Sequence, residues 1–257
     1  MNVISQDPIA NTSKVKILLI GDNGIDQYQY GTVTRISPEA PVPVVNYTHT
    51  VVKPGMAANV QDNLLNLGCE VEFVHGIKTS IKTRIIDSKS KQHLVRIDQD
   101  TLSRAVKIDY NNINQYNAIV VSDYNKGSVD YDTVENLRQQ YHGPIFVDTK
   151  KTDLIRFEGC FVKINQTEFE AAKTLPTELI VTLGRDGVRY KEHKFSTPQV
   201  EAFDVCGAGD TFLSALAYNY VLSQDLVTAI QFATRAASVT VQHIGVYSPT
   251  LQEIEQV

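Results

Sequence analysis

Short apolar runs recur along the chain with helix-period segments between them. "VKILLIG", "EVEFVHG", "NAIVVSD", "GPIFVDT", "GCFVKIN" and "ELIVTLG" are each of strand length and stop at or beside Gly, Asp or Asn. Runs that are apolar on both faces suit the central strands of a parallel sheet, because helices cover both sides of such a sheet. The pattern predicts an α/β fold, in which ligands gather beyond the carboxyl ends of the strands. Asp22, Asp123, Asp148, Asn165 and Gly184 are expected on that rim. Three helices follow from the same pattern: about Met56 to Asn66, stopped by Gly68; near Ala208 to about Leu222; and "DLVTAIQFATRAASVTVQHIG", capped by Asp225.

Two segments break the pattern. Residues 28–53 are rich in β-branched residues and proline and lack a helical period, and residues 81–98 read as a hairpin turning near Asp87 to Lys91. They predict a small β appendage on one domain spanning residues 1–257. A net charge of −5 gives no general attraction to nucleic acid or to acidic membranes, so small molecules or protein chains are the expected partners. The three cysteines have no metal-site spacing and fit a reduced compartment. The opening "MNVISQDPIANTSKVK" has no apolar signal core, so a cytoplasmic protein is expected.

The stretch "FDVCGAGDTFLSALAYNYV" carries the most chemistry. Gly207, Ala208 and Gly209 place small residues at the start of a helix, where free N–H groups and the helix dipole attract an anion. Asp210 follows in the first turn, where a carboxylate can take a proton from a hydroxyl as that oxygen attacks a phosphoryl group. A plainer reading stays open here, with Asp204 capping a helix and Asp210 serving only the helix dipole. No GK[ST] follows, which excludes a Walker P-loop.

"DVCGAGDT" resembles the C-terminal signature of the ribokinase-like (PfkB) carbohydrate kinases. Further segments resemble that family in order: "GDNGID", "PGMAANV", "NQTE" and "TLGRDG". "TRISPEAPVPVV", "IKTRII", "HLVRID" and "VVSDYNKG" are similar to its D-glycero-β-D-manno-heptose-7-phosphate kinase branch, the kinase part of the bifunctional ADP-heptose synthesis proteins of lipopolysaccharide assembly. The resemblance implies a three-layer α/β/α sandwich with a β lid that pairs two chains. It implies transfer of the ATP γ-phosphoryl group to O1 of a heptose 7-phosphate, with Asp210 as base and Gly207 to Gly209 as anion hole. It gives Asp22, Asp26, Gly55 and Asn59 to the sugar, and Asn165, Glu168, Thr182, Gly184, Gly187 and Asp204 to the nucleotide. Asn165 and Glu168 would serve Mg²⁺ indirectly, and a monovalent cation stays open. Arg35, Lys82, Arg84 and Arg96 on the lid are the candidates to meet the 7-phosphate.

The chain departs from the family in places. Met56 stands where the second glycine of a GG pair is expected, the stretches between Gly76 and Ile81 and between Ala172 and Glu178 are short, and Thr234 replaces an asparagine. No HxGH motif occurs, so no adenylyltransferase half is expected in these residues. Two alternatives follow: a weak or inactive relative that binds nucleotide or sugar or oligomerises, and a kinase for another sugar.

Overall fold

Alternation along the first strand sets the layers. In β1 (Lys16–Gly21), Ile17 and Leu19 belong to one hydrophobic core and Leu18 and Ile20 to another, as a strand buried on both faces requires. The structure, a computed structural model, describes residues 14–257; most of the opening stretch weighed above as a leader, residues 1–13, lies outside the described residues. The chain continues through β2 (Asn23–Ile36), β3 (Pro43–Met56), α1 (Ala57–Asn66), β4 (Glu70–His75), β5 (Ser80–Asp87) and β6 (His93–Gln99). Next come β7 (Ala118–Asp123), α2 (Tyr131–Gln140), β8 (Ile145–Thr149), β9 (Phe161–Asn165), α3 (Gln166–Ala171) and β10 (Leu179–Thr182). The hairpin β11 (Val188–Tyr190) and β12 (His193–Phe195) precedes α4 (Ala208–Ser223), α5 (Leu226–Thr240) and α6 (Leu251–Glu255).

The main sheet has the order β12-β11-β10-β9-β8-β7-β1-β4, with β4, β1, β7, β8, β9 and β10 parallel. Val60 and Leu64 of α1, Phe212 and Leu213 of α4, Ile230 of α5 and Ile254 of α6 cover one face. Val134 and Leu137 of α2 cover the other, which makes a three-layer α/β/α sandwich. The six apolar runs are the six parallel strands. One of them differs from expectation: β4 is an edge strand with its side chains half exposed, because β1 alone pairs with it. Among the described residues no helix is long and apolar enough to cross a membrane.

The appendage is a four-stranded sheet in the order β3-β2-β5-β6. It starts five residues earlier than expected, since β2 leaves β1 with only Asp22 between them. The turn after β5 is where the sequence puts it: the Asp87 carboxylate accepts from the N–H and hydroxyl of Ser90 and from the N–H of Val33. Register places Asp26, Lys82 and Asp98 across from one another, and likewise Tyr28, Arg84 and Arg96. Period-two alternation therefore gathers these charges on one face and leaves Gln27, Val52, Thr83 and Ile97 on the other.

Met56, the departure from the family's glycine, caps α1 at φ 54 and is buried. Its side chain folds onto Gly24, where an added Cβ would lie 2.7 Å from Met56 Cγ. The long side chain thus fills space that the neighbouring strand leaves by carrying glycine. Gly24→Ala is expected to lower stability by about 1–3 kcal/mol through overpacking, and Met56→Gly in the same chain to restore most of the loss. Chemical denaturation of the two single variants and the double variant checks this; purely additive effects would show that the two residues do not share the space.

Candidate active site

The loop before α4 is held from behind. Asp204 accepts from the N–H of Cys206 at 3.0 Å and from that of Gly245 at 2.9 Å. These bonds outweigh burial and keep its carboxyl below the usual range. The N-cap of α4 is Gly207, at φ 79 and ψ −7. Asp204 is therefore a brace between two loops; it neither caps the helix nor lines the cavity described below. The Ala208 N–H is donated to the Val205 carbonyl at 3.3 Å, which removes it from the expected anion hole. The N–H groups of Gly207, Gly209 and Asp210 have no backbone acceptor among the described residues. They remain available to an anion at the positive end of the helix.

Asp210 is buried, and both its oxygens are held. Asn59 Nδ2 donates to Oδ2 at 2.8 Å and the Tyr124 hydroxyl donates to Oδ1 at 2.7 Å. Burial pushes its carboxyl up to about 6, against the two hydrogen bonds and Lys163, and Asp148 adds to the rise. Asn59 was expected to meet the sugar; here its amide nitrogen is committed to Asp210 instead. Behind it, Asn63 Nδ2 donates to the Asn59 carbonyl at 2.8 Å, Thr211 donates to Asn63 Oδ1 at 2.8 Å, and Thr240 donates to Thr211 at 3.0 Å. This chain locks α1 to α4 and α5 and fixes where the Asp210 carboxylate points.

Three basic residues converge on the same spot, Lys163 and Lys150 from outside the family motifs and Lys82 from the lid segment "IKTRII". Lys163, in the middle of β9, is buried with its ammonium 2.7 Å from Asp148 Oδ2 and 3.3 Å from the Gly209 carbonyl. Lys150 pairs with Glu168 and lies 5.3 Å from the centre of the Tyr124 ring. Lys82 reaches from the lid to 5.0 Å from that ring, and burial lowers its pKa although Asp26 and Asp98 oppose the shift. A charge inside the apolar run "FVKIN" was the sequence signal for Lys163, because a buried ammonium needs a carboxylate partner. Tyr124 falls within the quoted segment "VVSDYNKG" without being named there, and nothing in the local sequence points to Lys150.

The expected sugar wall divides. Asp26 is buried against Arg84 in an ion pair, Gly55 lies against its carboxylate, and Arg84 sits 5.3 Å from the Tyr28 ring. Asp22 has another task than the one expected. Its two oxygens accept from the N–H groups of Ser128 at 3.0 Å and Lys126 at 2.9 Å, and it is 1% exposed, so it shapes the rim from beneath. Arg96 forks onto Asp98 at 2.8 and 2.9 Å, and Arg35 is exposed near the far end of β2. Neither converges on Asp210; Lys82 is the lid cation that does.

On the other side of the glycine loop lies a cavity of ≈ 440 Å³ lined by Thr182, Gly184, Gly187, Ala208, Gly209 and Ser238, among others. It joins the end of β10 to the helix N-terminus and includes Thr234, the asparagine departure. Asn165 and Glu168 do not line it. They form a capping box on α3, each side chain accepting from the other's N–H, and Glu168 spends its second oxygen on Lys150. Among the described residues no group of three or more His, Cys, Asp or Glu could hold a metal alone. Asp148 Oδ1, however, is buried without a hydrogen-bond partner beside Lys163, and a lone carboxylate oxygen suits a hydrated divalent cation carried by phosphates.

A pfkB family carbohydrate kinase profile matches residues 160–253. The bifunctional protein HldE of Nitratiruptor sp. is 32% identical over 95% of this chain and 65% of its own length. HldE of Helicobacter pylori strain 26695 is 30% identical over 93% of this chain and 66% of its own length. The chain thus spans a little under two thirds of these relatives. The Nitratiruptor alignment runs over 302 positions, more than the 257 residues here, so that relative carries segments this chain lacks. Among solved structures, ribokinase of Thermotoga maritima superposes with a TM-score of 0.70 at 19% identity, covering 95% of this chain and 98% of its own. Ribokinase of Arabidopsis thaliana, complexed with ribose and ATP, gives 0.71 at 15% identity with the same coverage.

Proposed function

The chain belongs to the pfkB family of carbohydrate kinases, and we propose that it transfers the γ-phosphoryl group of ATP to O1 of D-glycero-D-manno-heptose 7-phosphate. The observation that carries this reading is the buried Asp210 at the N-terminus of α4, with a nucleotide-sized cavity on one side and the charged lid face on the other. Asp210 takes the proton of the attacking hydroxyl as the new O–P bond forms and the bond to the departing ADP oxygen breaks. The N–H groups of Gly207 and Gly209 face the charge that spreads over the phosphoryl oxygens. Asp148 Oδ1 would hold Mg²⁺ through water, and that cation neutralises the phosphates when bound. Thr182, Gly184 and Gly187 line the nucleotide cavity, while Asp26 with its partner Arg84, together with Lys82, forms the sugar side.

The heptose assignment rests on the lid segment "TRISPEAPVPVV" and on Lys82, the candidate lid cation that reaches the Tyr124 ring. ATP as donor places the reaction in the cytoplasm. The reading of an inactive relative drew on Met56 and on the two shortened stretches; the burial of Met56 against Gly24 answers only the first of these. The exposed Val52, Val95 and Ile97 on the outer lid face suit pairing with a second copy.

ADP release with Mg·ATP is the test, run on heptose 7-phosphate, the unphosphorylated heptose, ribose and fructose 6-phosphate. Turnover is expected with heptose 7-phosphate at a kcat/KM at least about tenfold above the rest. A preference for an unphosphorylated sugar would move the substrate, and silence on the whole panel would remove the kinase reading. The same preparation should scatter light as a dimer of the 28.6 kDa chain.

A further inference from the structure

Tyr124, inside the segment "VVSDYNKG", touches the proposed base, and the family resemblance gives it no role. It stands directly after β7, where Asp123 is fixed by Thr149 at 2.6 Å, Lys151 at 2.6 Å and the N–H of Asn125 at 2.9 Å. Its backbone is thus anchored by a buried, fully bonded carboxylate. Its ring meets Lys82 from the lid and Lys150 from the end of β8, and its hydroxyl ends on Asp210 Oδ1. Three separate parts of the fold therefore meet in one side chain that touches the proposed base.

We infer that Tyr124 is a positioning residue for the base, its hydroxyl fixing one oxygen of the Asp210 carboxylate and holding that carboxylate in its charged, proton-accepting form. The inference rests on the kinase reading for its consequence and on the Tyr124–Asp210 contact for its substance. A phenol that donates to a carboxylate favours the ionised form, as a neutral acceptor would not. Asn59 supplies the matching bond to Oδ2, so the carboxylate cannot rotate, and each oxygen keeps a lone pair for the acceptor hydroxyl. The charged groups facing the pair are Asp148 from β8, Lys163 from β9, Lys150 after β8, and Asp26 and Lys82 from the lid. Their carboxylates and ammoniums partly offset one another, which leaves the two hydrogen bonds to set the orientation. Tyr124 itself stays protonated, because burial and the Asp210 charge push its phenol well above the usual range.

The experiment follows the Asp210 carboxyl by ¹³C NMR in ligand-free protein, assigned by its absence in Asp210→Asn. Tyr124→Phe is expected to move the Asp210 midpoint upward by about one pH unit. It should also cut kcat about tenfold or more at pH 7, with the KM for ATP unchanged and part of the rate recovered at higher pH. Tyr124→3-fluorotyrosine, a stronger donor of nearly the same shape, is expected to move the midpoint downward, and it keeps the test open if the phenylalanine variant does not fold. A midpoint that stays put in a folded variant, or that moves the same way in both, overturns the assignment. Because the titration needs no substrate, a silent sugar panel would sink the kinase reading while leaving this result to stand or fall alone.

Discussion

Asp210→Asn is expected to lower turnover by about 10³- to 10⁴-fold while leaving nucleotide affinity within a few-fold of the parent. The new amide can present its oxygen to Asn59 and its nitrogen to the Tyr124 oxygen, so the packing around it survives and only the proposed base is lost. The same variant should be more stable at neutral pH. The folded-state pKa of Asp210 is raised to about 6 from a reference of 3.8, so the folded protein binds this proton more tightly than the unfolded chain does. The cost of its buried charge is fully present above about pH 6 and fades as the pH falls toward 3.8. A melting temperature raised by about 2–6 °C at pH 8, with the gain shrinking below pH 6, is the expected signature. For the parent enzyme, kcat/KM should fall away on the acid side with a limb near pH 6, where Asp210 takes up its proton. Stopped ADP release, calorimetric nucleotide binding and thermal melts across pH test all three. An Asp210→Asn protein retaining a tenth of the parent rate would show that another group accepts the proton.

The strands were legible because burial on both faces leaves continuous apolar runs, and the lid because β-branched residues alternate up to a turn built on Asp87 and Ser90. The proposed base, Asp210, was legible as a candidate because a small-residue loop opening a helix is a local feature. What the sequence could not show is how each carboxylate spends its oxygens. Asp22 and Asp26 look alike four residues apart, yet backbone N–H groups take up the first and Arg84 takes up the second. Asn165 and Glu168 were expected to serve Mg²⁺ indirectly, yet their side chains form a capping box on α3, which a four-residue motif does not reveal. The cluster around Asp210 was hidden for another reason. Tyr124 lies 86 residues from Asp210 and Asn59 lies 151 away, and no local pattern reports such a meeting.

Gly207→Ala is expected to damage activity and stability together, in a way that separates backbone strain from misplacement of the base. Residue 207 sits at φ 79, a left-handed conformation that an alanine adopts at a cost of about 1–2 kcal/mol. Its added Cβ would also stand 2.9 Å from Asn59 Nδ2 and 3.1 Å from Val246 Cγ1. Since Asn59 Nδ2 is the atom that holds Asp210 Oδ2, the methyl group pushes directly on the support of the proposed base. Gly68→Ala is the control, because Gly68 has φ 88 but nothing lies within 4 Å of the Cβ it would gain. Both variants should lose stability, Gly68→Ala by about 1–2 kcal/mol from strain alone and Gly207→Ala by more, through the added clash. Only Gly207→Ala should lose turnover, by about 10- to 100-fold in kcat, with the acid limb of its pH profile moved upward as the Asn59 bond weakens. Equal kcat in the two variants would mean that Asn59 does not fix the base, and that the close packing of Gly207 against it serves only the fold.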